Sequence, residues 1–287
     1  MTRSAFVVGA GGAVGEATAL ALLADGWRVV ASMRTKREKV EERLGAAGAT
    51  IAYSTLGAGE DWRGEALECD ALVFVTNLNL TRIALEGVPH DRRIVVFSSN
   101  NVAADADAPS YRALAEHEAA LWARFSNLAI VRPTLIYGDP RLVTITRLLR
   151  MAQTYPVLPL PGSGKARVQP VFHGDLGRLA AGLTNIDAPS GVFAVGGPDV
   201  VTMRAFYQMI AACVGRSRLI VPMPGFALKL AQAAGVASEE QVKRAERDRV
   251  AVAQDDLPEA LSPRTSLREG LALHFSAMGG LPGGGRL

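Results

Sequence analysis

Residues 4–17 read SAFVVGAGGAVGEA, and the architecture turns on how this stretch is parsed. A short, mostly apolar run, Ser4–Val8, ends in Gly9, Ala10, Gly11 and Gly12, and helical spacing begins at Ala13. That is a strand, a tight glycine turn and a helix. Glycines at 9, 12 and 15 permit the turn, a close backbone approach to a diphosphate and tight packing of helix on strand. The helix N-terminus adds backbone N–H donors and partial positive charge. Gly9, Ala10, Gly11, Gly12, Ala13, Val14 and Gly15 are therefore candidate residues for cradling a dinucleotide. A purely structural turn is the other reading.

Outward from the loop, strand and helix signals alternate. The first helix stops at Gly26, suited to a C-terminal cap. Strands are expected in WRVVASMR (27–34), ATIAYSTL (49–56), DALVFVTN (70–77), RRIVVFSSN (92–100) and LAIVRPTLIYG (128–138). Helices are expected over 37–48 and from Tyr111 to about Arg124. This rhythm implies an α/β fold: a Rossmann-type, doubly wound parallel sheet that binds ligands at the carboxyl ends of its strands. After Tyr137 the rhythm loosens into a proline-rich stretch, a helix follows HGD at 173–175, and GVFAVGGPD (191–199) reads as a returning strand. The expected division is 1–138 plus about 169–199 for the nucleotide domain. About 139–168 plus 200–275 form a smaller, mostly helical substrate lobe, and 276–287 a frayed tail.

The second strand ends ASMRTKR (31–37), with no acid before Glu38 to hold ribose hydroxyls. Arg34, with Lys36 and Arg37 nearby, suits a 2′-phosphate, so NADP is preferred to NAD. Surface charges opening a helix are the alternative. PGSGKA (161–166) imitates a triphosphate loop, but Pro159 and Ala166 stand where that loop needs glycine and a hydroxyl.

With 287 residues, 49% hydrophobic, the chain has ample core for a large α/β domain. Net charge is +3 and the pI near 9.0. The densest basic stretch, 34–43, also carries three glutamates and reads as a solvated face, so no nucleic-acid partner is expected. LIVPMPGFALKLAQAAGVA (219–237) is broken by prolines, glycine and lysine, a poor membrane span. No signal-peptide pattern is visible, and Cys69 and Cys213 show no metal spacing; free thiols in a reducing cytoplasm are expected. No metal site is expected.

Several stretches together resemble the extended or atypical short-chain dehydrogenase/reductase superfamily, the NAD-dependent epimerase/dehydratase-like proteins. Glycines 9, 12 and 15 match its loop, RIVVFSSNNVAAD (93–105) its fifth strand, and VRPTLIYGDP (131–140) its RPxxxYG segment. VQPVFHGDLGRLAAGL (168–183), GVFAVGGP (191–198) and TSLREGL (265–271) are similar to later family motifs in the same order.

The resemblance implies a Ser, a Tyr and a Lys as catalytic set. Ser99 falls on the first position, with Asn100 and Asn101 beside it. Counting back from Arg132 makes Glu118 the glutamate that follows the lysine by four. That register puts lysine at Leu114 and tyrosine at Ser110; sliding by one gives Tyr111 with Ala115. No register supplies both. Tyr111 is either a proton-transfer residue lacking its cation or a ring packed at a helix start, and Arg132 is the best remaining cation. The resemblance further implies Thr76 and Asn77 near the cofactor ribose, and Pro133 to Leu135 at the nicotinamide. Asn100, Arg167 and His173 would face substrate, and Asp175 would cap a helix. The expected function is an NAD(P)-binding oxidoreductase or epimerase/dehydratase-like enzyme acting on a small carbonyl, hydroxyl or nucleotide-sugar substrate, as monomer or homodimer. A catalytically silent nucleotide-binding protein of the same fold, sensing redox state or steadying an assembly, is the alternative.

Overall fold

The structure is a computed structural model and describes residues 2–56, 62–223 and 247–280. In chain order its elements are β1 (Ser4–Val8), α1 (Ala13–Ala24), β2 (Arg28–Met33), α2 (Glu38–Ala46), β3 (Thr50–Tyr53) and α3 (Trp62–Glu68). Next come β4 (Ala71–Phe74), α4 (Leu78–Ala84), β5 (Arg93–Phe97), α5 (Asn101–Ala104), α6 (Pro109–Trp122) and β6 (Leu128–Pro133). They are followed by β7 (Ile136–Tyr137), α7 (Val143–Thr154), β8 (Val157–Pro161), β9 (Arg167–Val168), β10 (Val171–Phe172) and α8 (His173–Leu183). The last are β11 (Gly191–Val195), β12 (Val201–Thr202), α9 (Met203–Cys213), β13 (Leu219–Met223) and α10 (Leu267–Ala277). Residues 281–287 of the expected tail and 224–237 of the apolar stretch lie outside the described residues.

The chain divides into two compact units. The first comprises Met1–Pro133, His173–Val195 and Val252–Pro263; the second takes the intervening segments and the C-terminal portion. Residues Val252–Pro263, which the sequence reading gave to the lobe, cluster with the first unit.

In the first unit seven strands form one sheet in the order β11-β6-β5-β4-β1-β2-β3, every pairing parallel. The central strands β1, β4, β5 and β6 are buried along their whole length. Their largely apolar runs are what a sheet covered on both faces requires. One face packs Phe6, Trp62, Leu72, Phe74, Ile94 and Ile130 into a single cluster. Elsewhere in this unit α1 lies so close to α8 that a Cβ at Gly177 would stand 2.6 Å from the Ala17 carbonyl carbon. Strand order reverses between β1 and β4, and a parallel sheet opens a crevice at such a point.

Arg93 is buried at the start of β5, where its guanidinium donates to the carbonyls of Leu183 (2.7 Å) and Pro189 (3.1 Å). It thereby serves the C-terminal end of α8, where carbonyls lack intrahelical partners. Burial lowers its pKa to about 10. Asp175, expected as a cap, instead lies inside the first turn of α8, which begins at His173, and pairs with Arg178 at 2.9 Å.

The second unit has its own core, in which Tyr137, Leu149, Leu160, Phe206, Leu271 and Phe275 pack together. Among its described residues, three helices, α7, α9 and α10, accompany three small two-stranded sheets. Ser266 caps α10 by accepting from the Glu269 N–H at 3.3 Å, half of a capping box. His274 is fully buried: its Nδ1 accepts from the Gly138 N–H (3.0 Å) and its Nε2 meets Thr146 Oγ1 (2.9 Å). A backbone N–H can only donate, so the ring proton sits on Nε2 and His274 is a neutral structural residue.

Both cysteines are free. Burial raises the Cys69 thiol, and pushes Cys213 up to about 11. At pH 7 about one Cys213 in ten thousand is then thiolate, the reactive form. Neither thiol is expected to react with a disulfide reagent in native protein near neutral pH, whereas both react in denaturant. A rapid native stoichiometry of one or more would contradict this burial.

Candidate active site

The glycine loop is built at the crevice between β1 and β4. Gly9 and Ala10 both donate their N–H groups to the Ser32 carbonyl at 3.0 Å, and Gly12 N–H closes the turn on Gly9 O at 2.9 Å. Gly9 has φ +84°, and a Cβ there would stand 2.3 Å from the Val75 carbonyl oxygen at the end of β4. A Cβ on Gly15 would stand 2.1 Å from Gly9 O. Gly12 is the N-cap of α1 and no side chain caps that terminus. The first-turn N–H groups thus have no intrahelical acceptor, the arrangement that receives a phosphate. Glu16, one turn in, is buried and ion-paired to Arg43 of α2 at 2.5 Å, which offsets its charge. The loop therefore fits a dinucleotide diphosphate.

The end of β2 lies beside the loop. Arg34, Lys36 and Arg37 are exposed there, and Arg37 lays its side chain over the loop: a Cβ on Gly11 would lie 3.1 Å from Arg37 Cδ. Lys36, Arg37, Glu38, Lys39 and Val40 line a shallow depression of about 480 Å³. Arg37 was present in the sequence reading only as a neighbour of Arg34; the structure makes it the cation on the glycine loop.

At the end of β4, Thr76 is partly exposed, while Asn77 caps α4, its side chain accepting from the Asn79 N–H at 2.9 Å. At the end of β5, the Ser98 hydroxyl is buried and, among the described residues, has no hydrogen-bond partner. Ser99 Oγ accepts from the Asn101 N–H at 3.3 Å, and Asn101 Nδ2 donates to Tyr111 Oη at 2.8 Å. One residue thus links the two sequence-predicted hydroxyls. Asn100 is buried; its N–H donates to Pro133 O (3.1 Å) and its Oδ1 accepts from the Val252 N–H (3.0 Å). This clips the returning segment onto the ends of β5 and β6.

Tyr111 lies in the first turn of α6, entered through Pro109. Leu114, one candidate for the lysine position, packs against the apolar cluster of the sheet. Arg132 sends Nε to both Glu118 carboxylate oxygens (3.0 and 3.1 Å), Nη2 to Glu118 as well, and Nη1 to Gln254 at 2.8 Å. Its charge is spent on Glu118.

Pro133 ends β6 in the first unit, whereas Leu135 packs against the core of the second. Arg167, also in the second unit, is held by Asp248 through its own N–H (2.7 Å) and Nε (2.8 Å). The Arg167 backbone N–H, followed by its side chain, keeps the Asp248 carboxyl below its ordinary range. His173 is partly buried at the first position of α8.

No protein-family model and no curated protein matches the sequence. Solved structures do. A dTDP-glucose 4,6-dehydratase from Bacillus anthracis, solved with NAD, is similar over 97% of this chain and 97% of its own, at 13% identity and a TM-score of 0.72. The chain shares the fold of that dehydratase. A UDP-glucuronic acid 4-epimerase from Bacillus cereus, solved with UDP-glucuronic acid and NAD, covers 96% of this chain and 99% of its own at 16% identity, TM-score 0.72. A UDP-glucose 4-epimerase from Thermotoga maritima, solved with UDP-glucose, covers 96% and 98% at 14% identity, TM-score 0.69. In such doubly wound sheets ligands bind at the strand-order reversal, where the glycine loop of this chain stands. Among the described residues no helix is long and apolar enough to cross a membrane.

Proposed function

We propose that the chain binds a nicotinamide dinucleotide on the Gly9–Gly15 loop and performs oxidoreduction at a carbonyl or hydroxyl carbon of a small molecule, in the manner of an epimerase/dehydratase-like enzyme. The observation that carries this reading is the loop itself: three positions where a Cβ would meet backbone, leading into an uncapped helix at the sheet's crevice. When bound, the cofactor exchanges a hydride with the substrate carbon. Ser99 orients the substrate oxygen by hydrogen bonding, and Tyr111 exchanges a proton with it. Thr76 and Pro133, at the ends of β4 and β6, border the cofactor.

NADP is the preferred form. The relatives named above were solved with NAD or with a nucleotide sugar, but here the end of β2 presents Arg34, Lys36 and Arg37 before any acid. Guanidinium groups meet a 2′-phosphate through charge-assisted bonds worth about 1.5–3 kcal/mol each. In calorimetry NADPH is expected to bind at least about tenfold more tightly than NADH. Arg37→Ala should weaken NADPH by about tenfold or more while leaving NADH unchanged. Equal affinities for the two coenzymes would reverse the preference. No heat with either would remove the functional reading.

A further inference from the structure

We infer that Asn101 is the residue that positions Tyr111, and that it joins Tyr111 and Ser99 into one unit for proton transfer to a substrate oxygen. The inference rests on the oxidoreductase reading above.

Asn101 is the second of two asparagines at the end of β5 and the first residue of α5. Its backbone N–H donates to Ser99 Oγ and its side-chain amide N–H donates to Tyr111 Oη. Each hydroxyl oxygen carries one hydrogen and two lone pairs. With one lone pair on each oxygen taken by Asn101, the hydrogens of Ser99 and Tyr111 are directed to acceptors other than Asn101. A ketone or aldehyde oxygen is an acceptor only, and its two lone pairs can take two such donors.

The proton step balances within these groups. As the substrate carbon is reduced, its oxygen becomes negative and forms a bond to the Tyr111 proton. The Tyr111 O–H bond breaks, its electron pair stays on Oη, and the Asn101 N–H bond to that oxygen shortens as charge builds. Solvent then reprotonates Oη. The amide carries no net charge, and its part in the step is to hold the phenol oxygen in place.

Two independent readings test this. In a 1H–15N spectrum of the full chain, one Asn101 side-chain amide proton is expected to exchange slowly with water. Tyr111→Phe should abolish that protection while leaving the Asn101 backbone amide in place. An unchanged side-chain signal in Tyr111→Phe overturns the positioning, whatever the enzyme does. With NADPH and a panel of ketones and aldehydes, Asn101→Asp, isosteric but with no donor, should lower kcat by about tenfold or more at unchanged KM. Asn101→Gln, which keeps a donor, should recover part of the loss. Wild-type kcat in Asn101→Asp overturns the proposed role. If the amide contact is present but no carbonyl compound is turned over, the positioning stands and the oxidoreductase reading fails. Asn101 is partly exposed in a one-turn helix, so its variants should melt as the wild type does.

Discussion

Gly15→Ala should bind no dinucleotide and should melt about 10 °C below the wild type. The added Cβ would stand 2.1 Å from the Gly9 carbonyl oxygen and 2.6 Å from its carbon, both backbone atoms of the turn it faces. A flexible side chain could swing aside; a backbone carbonyl in a turn closed by Gly12 cannot. Overpacking costs about 1–3 kcal/mol even where side chains can yield. Here about 3 kcal/mol or more is expected, as α1 lifts from β1 and its N–H groups leave the crevice. In a domain of this size each kcal/mol lowers Tm by about 2–4 °C. Gly26→Ala is the control. Gly26 also has positive φ, +78°, but a Cβ there meets nothing within 4 Å. It should cost about 1 kcal/mol of backbone strain and leave affinity untouched. Calorimetry and thermal melts separate the two. A Gly15→Ala protein with wild-type Tm and affinity would mean that the loop does not hold its helix as described.

The sheet was legible in the sequence because its physics is local. Strands buried on both faces are largely apolar, and runs such as Ile94–Phe97 and Leu128–Val131 announce themselves against polar, helical neighbours. Gly12 and Gly15 were legible for the same reason, since each answers to the Gly9 carbonyl a few residues away, whereas Gly9 answers to Val75 at the end of β4. The ends of elements were less so. LAIVRPTLIYG reads as one strand, but Pro133 offers no N–H to a ladder. The structure ends β6 there and begins a separate strand at Ile136, in the other unit. The placement of Val252–Pro263 was not legible at all. It depends on Asn100 accepting from the Val252 N–H and on Asp255 accepting from the Val192 N–H at 2.6 Å. Those bonds span 152 and 63 residues, and no periodicity reports them.

The candidate site residues divide along the same line. Ser99 and Tyr111 could be named from their neighbours, and they do share a bonded link. Which of the two asparagines supplied it could not be read, since SSNN offers both side chains at one strand end. One is folded inward to the chain and the other outward to the tyrosine. Arg132 could be named as a cation but not aimed. Its direction depends on Glu118, fourteen residues earlier on another element, and a β-strand residue can face either side of its sheet.

Glu118 is the position where the second large effect is expected. It is 4% exposed and Arg132 9%, so the pair is buried, with the guanidinium engaging both carboxylate oxygens. Removing one partner leaves an uncompensated buried charge. Glu118→Ala should therefore cost about 3–5 kcal/mol, and Arg132→Ala a similar amount. Replacing both by apolar residues of like volume, Glu118→Leu with Arg132→Met, removes the charge along with its partner. That double variant should recover most of the loss and lie within about 2 kcal/mol of the wild type, because the desolvation cost of both ions disappears too. Stability recovered in this way need not restore function. Glu118 lies seven residues after Tyr111 on α6, two turns along nearly the same face. The ion pair therefore ties the helix that presents Tyr111 to β6, and through Gln254 to the returning segment. Apolar packing can hold that helix without holding its rotation. The double variant should consequently denature near the wild-type urea concentration while losing the slow-exchanging Asn101 amide proton. If the double variant is as unstable as either single one, buried charge is not the cause of the loss. If it recovers both stability and the amide signal, the pair contributes nothing to the placement of Tyr111.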